Sequence, residues 1–304
     1  MAARRAYEEP HNLGRMDVVC IHCGALHWRD EATGKPKDGF PAFGSCCNHG
    51  KVALLELPEP PPQLKQLLVA ADTQATEFHS HITQYNAALA FTSLGVNNDK
   101  AINQQGQSGW VFQIQGYLYH LSGALTAPEG RAPSYSQLYI FDPAIAFRQR
   151  MHRNSDLRGD TMQTLQDMLL QLHPYTAKYR QAYEILADQD AEIQDVAVHL
   201  RVMSGQDKHR YNLPTADKVA FVLPGNGEGG LDGCPRVPEG WAPLSRISDR
   251  HPTYATLYYV LLFPRGEHGW YEDLRLNDPS RANPGRLTQS RYYAYRIFPR
   301  ATKF

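Results

Sequence analysis

Net charge is the first thing missing from this 304-residue sequence: 31 lysines and arginines meet 31 aspartates and glutamates. A polyanion binder held by bulk basic charge is thereby excluded, although a local patch is not. Long apolar runs are missing too. The longest, Thr256 to Phe263, falls far short of the roughly 20 residues that a membrane-spanning helix needs. The opening MAARRAYEEP has no apolar centre and so shows no secretory signal; a soluble intracellular protein is expected.

Catalytic signatures are equally scarce. A phosphate-cradling loop needs G-x4-G-K-[ST], yet Gly34-Lys35 runs into Pro36 and Gly50-Lys51 into Val52, each without the upstream glycine. The glycine-rich stretch from Gly225 to Gly233 carries Glu228 and Asp232, which repel phosphate, so it reads as a surface loop. No G-x-S-x-G elbow occurs. Among thirteen histidines only His79 and His81 stand two apart, as a rolling-circle nuclease requires on a strand. They fall in a helical pattern, where such positions diverge by about 200°, so surface histidines are expected.

Cysteine is present in an uninformative total but an informative arrangement. There are five, and Cys20, Cys23, Cys46 and Cys47 crowd into the first fifty residues, leaving Cys234 apart without a role. In a reducing compartment such a cluster points to metal rather than cross-links. Cys20-Ile21-His22-Cys23 offers two thiolates to one ion, and Cys46-Cys47 supplies the other half of a structural zinc tetrahedron. Adjacent cysteines point apart in an extended segment, so one of them yields its place to His49, His22 or His27 in an alternative ligand set. A redox dithiol at the C-x-x-C is a further alternative, but no βαβ pattern surrounds it. A filled four-ligand site leaves no open position for catalytic water.

With 42% hydrophobic and 20% charged residues the chain has the composition of a folded protein. Three regions separate: residues 1–58, a cysteine-rich zinc-knuckle-like module closed by the proline run Glu56–Pro62; 63–223, the main body; and 224–304, a loop-rich strand segment with a basic end. Helices are predicted over Thr76–Leu94 with Gly95 as its cap, from a capping box at Asp160 to His173-Pro174, and over Tyr175–Leu186. Strands are predicted at Trp110–Gln115, Tyr117–Leu121, Gln137–Phe141, Gln194–Val202, Lys218–Leu223 and Leu257–Phe263. Short strands at Asp17–Val19 and Lys51–Leu55 would flank the cysteines as a zinc-ribbon-like unit. The fold class that follows is α+β: this small module, then mainly antiparallel sheet with packed helices.

The last twenty-four residues concentrate positive charge. Arg281, Arg286, Arg291, Arg296, Arg300 and Lys303 face no acid in sequence, and Tyr292, Tyr293 and Tyr295 are interleaved with them. Arginine pairs phosphate and aromatic faces stack unpaired bases, so Arg286, Arg291, Arg296, Arg300, Tyr292 and Tyr293 are candidate contacts to DNA, preferably single-stranded. The alternative is a sheet edge with solvated arginines.

Six stretches occur in sequence. The first three are Cys20-x2-Cys23-Gly24-Ala25-Leu26-His27-Trp28-x2-Glu31 with Cys46-Cys47-x2-Gly50-Lys51-Val52; Tyr85-Asn86-x3-Ala90-Phe91-Thr92-Ser93-Leu94-Gly95; and Phe112-x-Ile114-Gln115-Gly116-x2-Tyr119-His120. Gln137-Leu138-Tyr139-Ile140-x-Asp142, Tyr211–Thr215 and Leu261-Leu262-Phe263-Pro264-x-Gly266-Glu267-x-Gly269-Trp270 follow. Together, and in this order, they resemble the amino-terminal region of Helitron transposases. The resemblance implies a rolling-circle DNA transposon protein, with nuclease and helicase regions beyond a zinc-finger-like start, and nuclear residence. No position here matches the family's catalytic residues, so none is assigned. The favoured expectation is a nonenzymatic amino-terminal fragment with zinc-stabilised DNA binding. The alternatives are a protein-interaction module, or a truncated form of a nicking and unwinding transposase-helicase.

Overall fold

The computed structural model describes residues 12–33, 39–98, 114–122, 130, 132–188, 199–202, 219–222, 245–278 and 280–300. The described chain mixes helices with small antiparallel sheets and has a cysteine cluster near its start. Two compact units divide it: Met1–Glu56 together with Trp270–Phe304, and Leu57–Gly269. The boundaries read from composition, at 58 and 223, differ from these because sequence proximity does not reveal that the last 35 residues (270–304) belong with the first 56.

The first unit starts with two-residue strands, β1 (Val18–Val19) and β2 (Leu26–His27), paired antiparallel as Val18↔His27 and Val19↔Leu26. The expected strand at Lys51–Leu55 does not form; this segment is a turn followed by irregular chain.

Five helices dominate the second unit. Helix α1 (Pro62–Val69) starts on the proline whose fixed φ suits a first turn, and buries Leu64 and Leu67. Helix α2 (Thr73–Leu89) begins where the Asp72 carboxylate accepts from the Ala75 amide at 2.8 Å. It buries Ala75, Phe78, Tyr85 and Leu89, one face of a 3.6-residue period. It stops five residues earlier than predicted: Ala90 is already extended, and Gly95 lies in strand β3 (Ser93–Asn98) instead of capping a helix. Strand β4 (Ile114–Ser122) pairs with β3 and spans the described part of two strands predicted separately.

Gln137–Phe141, predicted as a strand, contains most of a 3-10 turn, Tyr135–Tyr139. Ser134 and Gln137 form a reciprocal capping box there, and that local chemistry outweighs the aromatic and β-branched content. Helix α3 (Pro143–Arg153) is capped by Asp142, whose carboxylate takes the Ala144 and Ile145 amides. Helix α4 (Gly159–Leu172) buries Met162, Leu165, Met168 and Leu169 and ends before His173-Pro174. The capping box expected at Asp160 is replaced by a start at Gly159, with the Asp160 carboxylate bound to Arg158. Helix α5 (Pro174–Asp188) follows at once.

Strands β5 (His199–Val202) and β6 (Val219–Val222) form an antiparallel pair, and β7 (Ser245–Ile247) joins β4 as the third strand of the β3–β4–β7 sheet. Leu257–Phe263 is not a strand. It completes the short helix α6 (Tyr254–Tyr258) and then turns, with Leu257, Val260 and Leu261 buried against the helices. Its hydrophobicity reflects burial of a turn, which periodicity does not distinguish from a buried strand. Cores of this unit are therefore helical: Phe78, Tyr85, Leu89, Met162, Leu165 and Leu169 form one cluster with Phe91, Tyr139, Tyr175 and Tyr179.

The chain then returns to the first unit, where Thr288 caps helix α7 (Gln289–Ile297) through the Arg291 amide. The basic end is thus helical over α7, while Arg286 and Arg300 on either side of it form single antiparallel bridges with Arg275 and Ala25. No helix among the described residues is long and apolar enough to cross a membrane.

Candidate metal centre

Each cysteine pair is placed by a turn of defined geometry. β1 leads into Cys20-Ile21-His22-Cys23, and the Gly24 amide donates to the Cys20 carbonyl at 2.8 Å while the Cys20 amide donates to Ala25 at 2.8 Å. Gly24 sits at φ 70°, a left-handed conformation that glycine takes without a Cβ penalty. These bonds fold the C-x-x-C segment so that both thiols converge.

The second pair lies in a tighter device. Asn48 (φ 49°), His49 (φ 53°) and Gly50 (φ 84°) are three consecutive left-handed residues. The Val52 amide closes the turn onto the Cys47 carbonyl at 2.9 Å. Neighbouring side chains diverge in extended chain, but Cys46 and Cys47 lie in a turn, where the curled backbone brings both thiols to the same side.

All four sulfurs lie within 4.8 Å of one another, so Cys20, Cys23, Cys46 and Cys47 could hold one metal ion. The cysteines are free, with Cys20 Sγ and Cys47 Sγ 3.8 Å apart, far beyond a disulfide bond. Cys20, Cys46 and Cys47 are buried and Cys23 is half-buried. The Cys46 thiol is pushed up by its neighbour Cys47 and by burial, whereas Cys47 is drawn down by Cys46 and by the Gly50 amide donating to its sulfur at 3.2 Å. Cys23 is raised chiefly by burial. An amide donor at Cys47 Sγ favours the thiolate, which is the form a metal takes up.

The histidines weighed as substitute ligands are outside the described sulfur cluster. His27 is buried, stacked on Phe43 at a ring separation of 3.9 Å, with Nδ1 2.6 Å from the Glu31 carboxylate. His22 lies against Gly50 and His49 against Gly44: a Cβ added to either glycine would come within 3.2 Å of the ring.

The basic carboxy-terminal helix is part of this unit's framework. Tyr292 is fully buried and Tyr295 nearly so, packed with Cys20, Cys46, Cys47, Phe43, Val52 and Leu287. The Tyr292 ring therefore offers no face to a base, which corrects the expectation drawn from the Tyr/Arg pattern. Arg300 spends its guanidinium on three carbonyls, those of Cys23 (3.0 Å), Phe298 (3.1 Å) and Tyr295 (2.9 Å). Its carbon lies 4.0 Å over the Tyr295 ring. Arg296 donates to the Leu55 carbonyl at 2.6 Å, and Arg286 to Glu272 at 2.8 Å. Of the predicted contacts, Arg291 is exposed with no ion pair among the described residues, Arg286 is exposed and paired, and Tyr293 is half-buried.

Phe43, Leu287 and the Arg300 clamp escape sequence reasoning, since nothing in spacing ties them to the cysteines. His79 and His81 do diverge on α2, His79 donating to the Leu68 carbonyl and His81 to that of Glu77. Cys234 and Tyr211–Thr215 lie outside the described residues, as does Lys303. No family model matches this chain, and no curated protein matches it.

Proposed function

We propose that the chain is a zinc-stabilised, nonenzymatic DNA-binding segment related to the amino-terminal region of Helitron transposases. The observation that carries the metal half is the sulfur spacing. A tetrahedron with metal–sulfur bonds of about 2.3 Å has sulfur–sulfur edges of about 3.8 Å, the zinc value. Cys20 and Cys47 stand at 3.8 Å, and all four sulfurs lie within 4.8 Å of one another. The short strands β1 and β2 enclose the first cysteine turn, and this is what supports a zinc-ribbon-like reading; the second turn has no strand beside it among the described residues. Four thiolates fill the coordination shell, so the ion would organise the module and activate no water.

Kinship to Helitrons rests on the order of the sequence motifs, and nuclear residence belongs to the same proposal. The DNA half rests on the exposed cations of the first unit, Arg291 and Arg286 above all. With Arg296 and Arg300 engaged internally, the full six-cation slope of log affinity against log salt, up to about −5, is not expected. Two phosphate contacts on single-stranded DNA predict about −1.4.

Metal content by mass spectrometry, with fluorescence anisotropy of a labelled single-stranded oligonucleotide across a salt series, tests both halves. One zinc per chain, and weakened DNA binding in Arg291→Ala, are expected. A metal-free native protein removes the first half; affinity indifferent to salt and to Arg291→Ala removes the second.

A protein-interaction module is the second reading, favoured by apolar side chains on the first unit. Ile297 is 78% exposed and Ile21 57%. An Ile297→Asp change that abolishes capture of a partner while sparing oligonucleotide binding would select it.

A further inference from the structure

The second unit contains a cavity of about 350 Å³ that the cysteine chemistry does not involve. Ala87 and Ala88 of α2, Tyr135 and Leu138 of the 3-10 turn, and Arg150 and Arg153 of α3 contribute to its lining. Arg150 is only 1% exposed, and it is an unusual residue to bury. Its Nε donates to the Ala88 carbonyl at 3.2 Å and its Nη1 to Gln166 Oε1 at 2.6 Å. Gln166 is held in that orientation because its own amide donates to Pro143. The guanidinium lies 4.7 Å from the centre of the Tyr139 ring.

Part of this is structural: a cation at the end of α2 meets carbonyls that the helix leaves unpaired. That role uses Nε, and Gln166 uses Nη1. Nη2 is buried without a hydrogen-bond partner, and no carboxylate neutralises the charge among the described residues. Guanidinium does not lose its proton in proteins, so the position holds a fixed, buried, incompletely satisfied cation. Arg153 adds a second guanidinium; it is exposed, with one hydrogen bond to the Ala132 carbonyl. The lining therefore has two positive charges and no acid.

We propose that this cavity binds a small phosphomonoester with a flat or apolar body, such as a mononucleotide. Two guanidiniums match a dianion better than a single carboxylate: Arg150 has Nη2 left to offer, and the exposed Arg153 supplies the second cation. The alanines, Leu138 and the Tyr135 ring, 39% exposed, supply the apolar wall. The volume falls in the range of roughly 300–1,000 Å³ common to small-molecule sites. This assignment is independent of the metal and DNA readings of the first unit.

Calorimetric titration of the full chain with thymidine 5′-monophosphate, thymidine, inorganic phosphate, benzoate and oligothymidylate tests it. The nucleotide should bind saturably at one per chain, at least tenfold more tightly than thymidine. Arg153→Ala should weaken it several-fold and Ala87→Trp should block it, both with unchanged circular dichroism and Tm. Arg150→Gln should abolish binding too, but the rim variants decide because they leave the α2 carbonyl contact intact. Failure of the nucleotide to saturate, or affinity unchanged in both rim variants, overturns the proposal. So does benzoate binding as tightly as the nucleotide, or binding by the oligonucleotide alone, which would assign the cavity to polymer backbone.

Discussion

Arg300 looks, in sequence, like one more cation at a basic tail; in the fold it is a fastener. Three carbonyls share its guanidinium, one from the C-x-x-C turn and two at the end of α7. Cations at a helix carboxy-terminus are favoured by the dipole, and charged hydrogen bonds contribute more than neutral ones. Arg300→Ala should therefore lower the stability of the first unit by about 2–3 kcal/mol. It should also speed metal loss to a chelator, followed by a chromogenic zinc indicator. Arg300→Lys should recover little, since a point charge does not replace a fork. Unchanged chelation kinetics in Arg300→Ala would dismiss the clamp. What sequence shows at this scale is the thiols, because a ligand type and its spacing are chemistry written locally. The clamp is not written locally: Arg300 and Cys23 meet only through the fold.

Elements follow local signals where caps and periods agree and depart from them where a turn is buried. Asp72, Asp142 and His173-Pro174 set helix limits as their chemistry requires. Gln137–Phe141 and Leu257–Phe263 defeat the reading because apolar content reports burial, and a capped turn satisfies its backbone as well as a strand does. The motif around Phe263 has a further element-level demand. Gly266 adopts φ 73°, and a Cβ there would stand 2.7 Å from the Pro174 ring at the start of α5. Nearby, Asn86 of α2 donates to the Tyr258 carbonyl at 2.8 Å and accepts from the Leu261 amide at 3.2 Å. Gly266→Ala should accordingly destabilise the second unit by more than about 1 kcal/mol in urea unfolding, from backbone strain and overpacking together. Equal midpoints for the variant and the parent would show that α5 gives way freely.

At the scale of the molecule, the second unit has an aromatic centre that carries a titratable group. His173 is buried beside Phe91, at a ring separation of 4.8 Å, and burial holds its pKa near 3 against an ordinary 6.5. Burial, then repulsion from His268, takes His251 down to about 4. For a histidine whose folded pKa is depressed, the unfolded chain binds the proton first. The stabilisation is therefore whole above pH 6.5 and is lost as pH falls toward 3. Within that window His173 alone should cost about 1.4 kcal/mol per pH unit. Urea unfolding at pH 7.5 and 5.5 should reveal a loss that His173→Phe reduces; identical losses in both proteins would place the acid sensitivity elsewhere. Neither the burial of His173 nor the assembly of its surroundings is visible in composition, because the residues that desolvate it come from separate helices and turns.

The first unit is assembled from the two ends of the described chain, with the second unit intervening in sequence. A ribosome delivers the four thiols long before it makes Leu287, Tyr292 and Tyr295, which pack beside them. During that interval the nascent cysteines lack these neighbours. Their loading with an ion, and their protection from oxidation, would reach the mature state only after translation has passed α7.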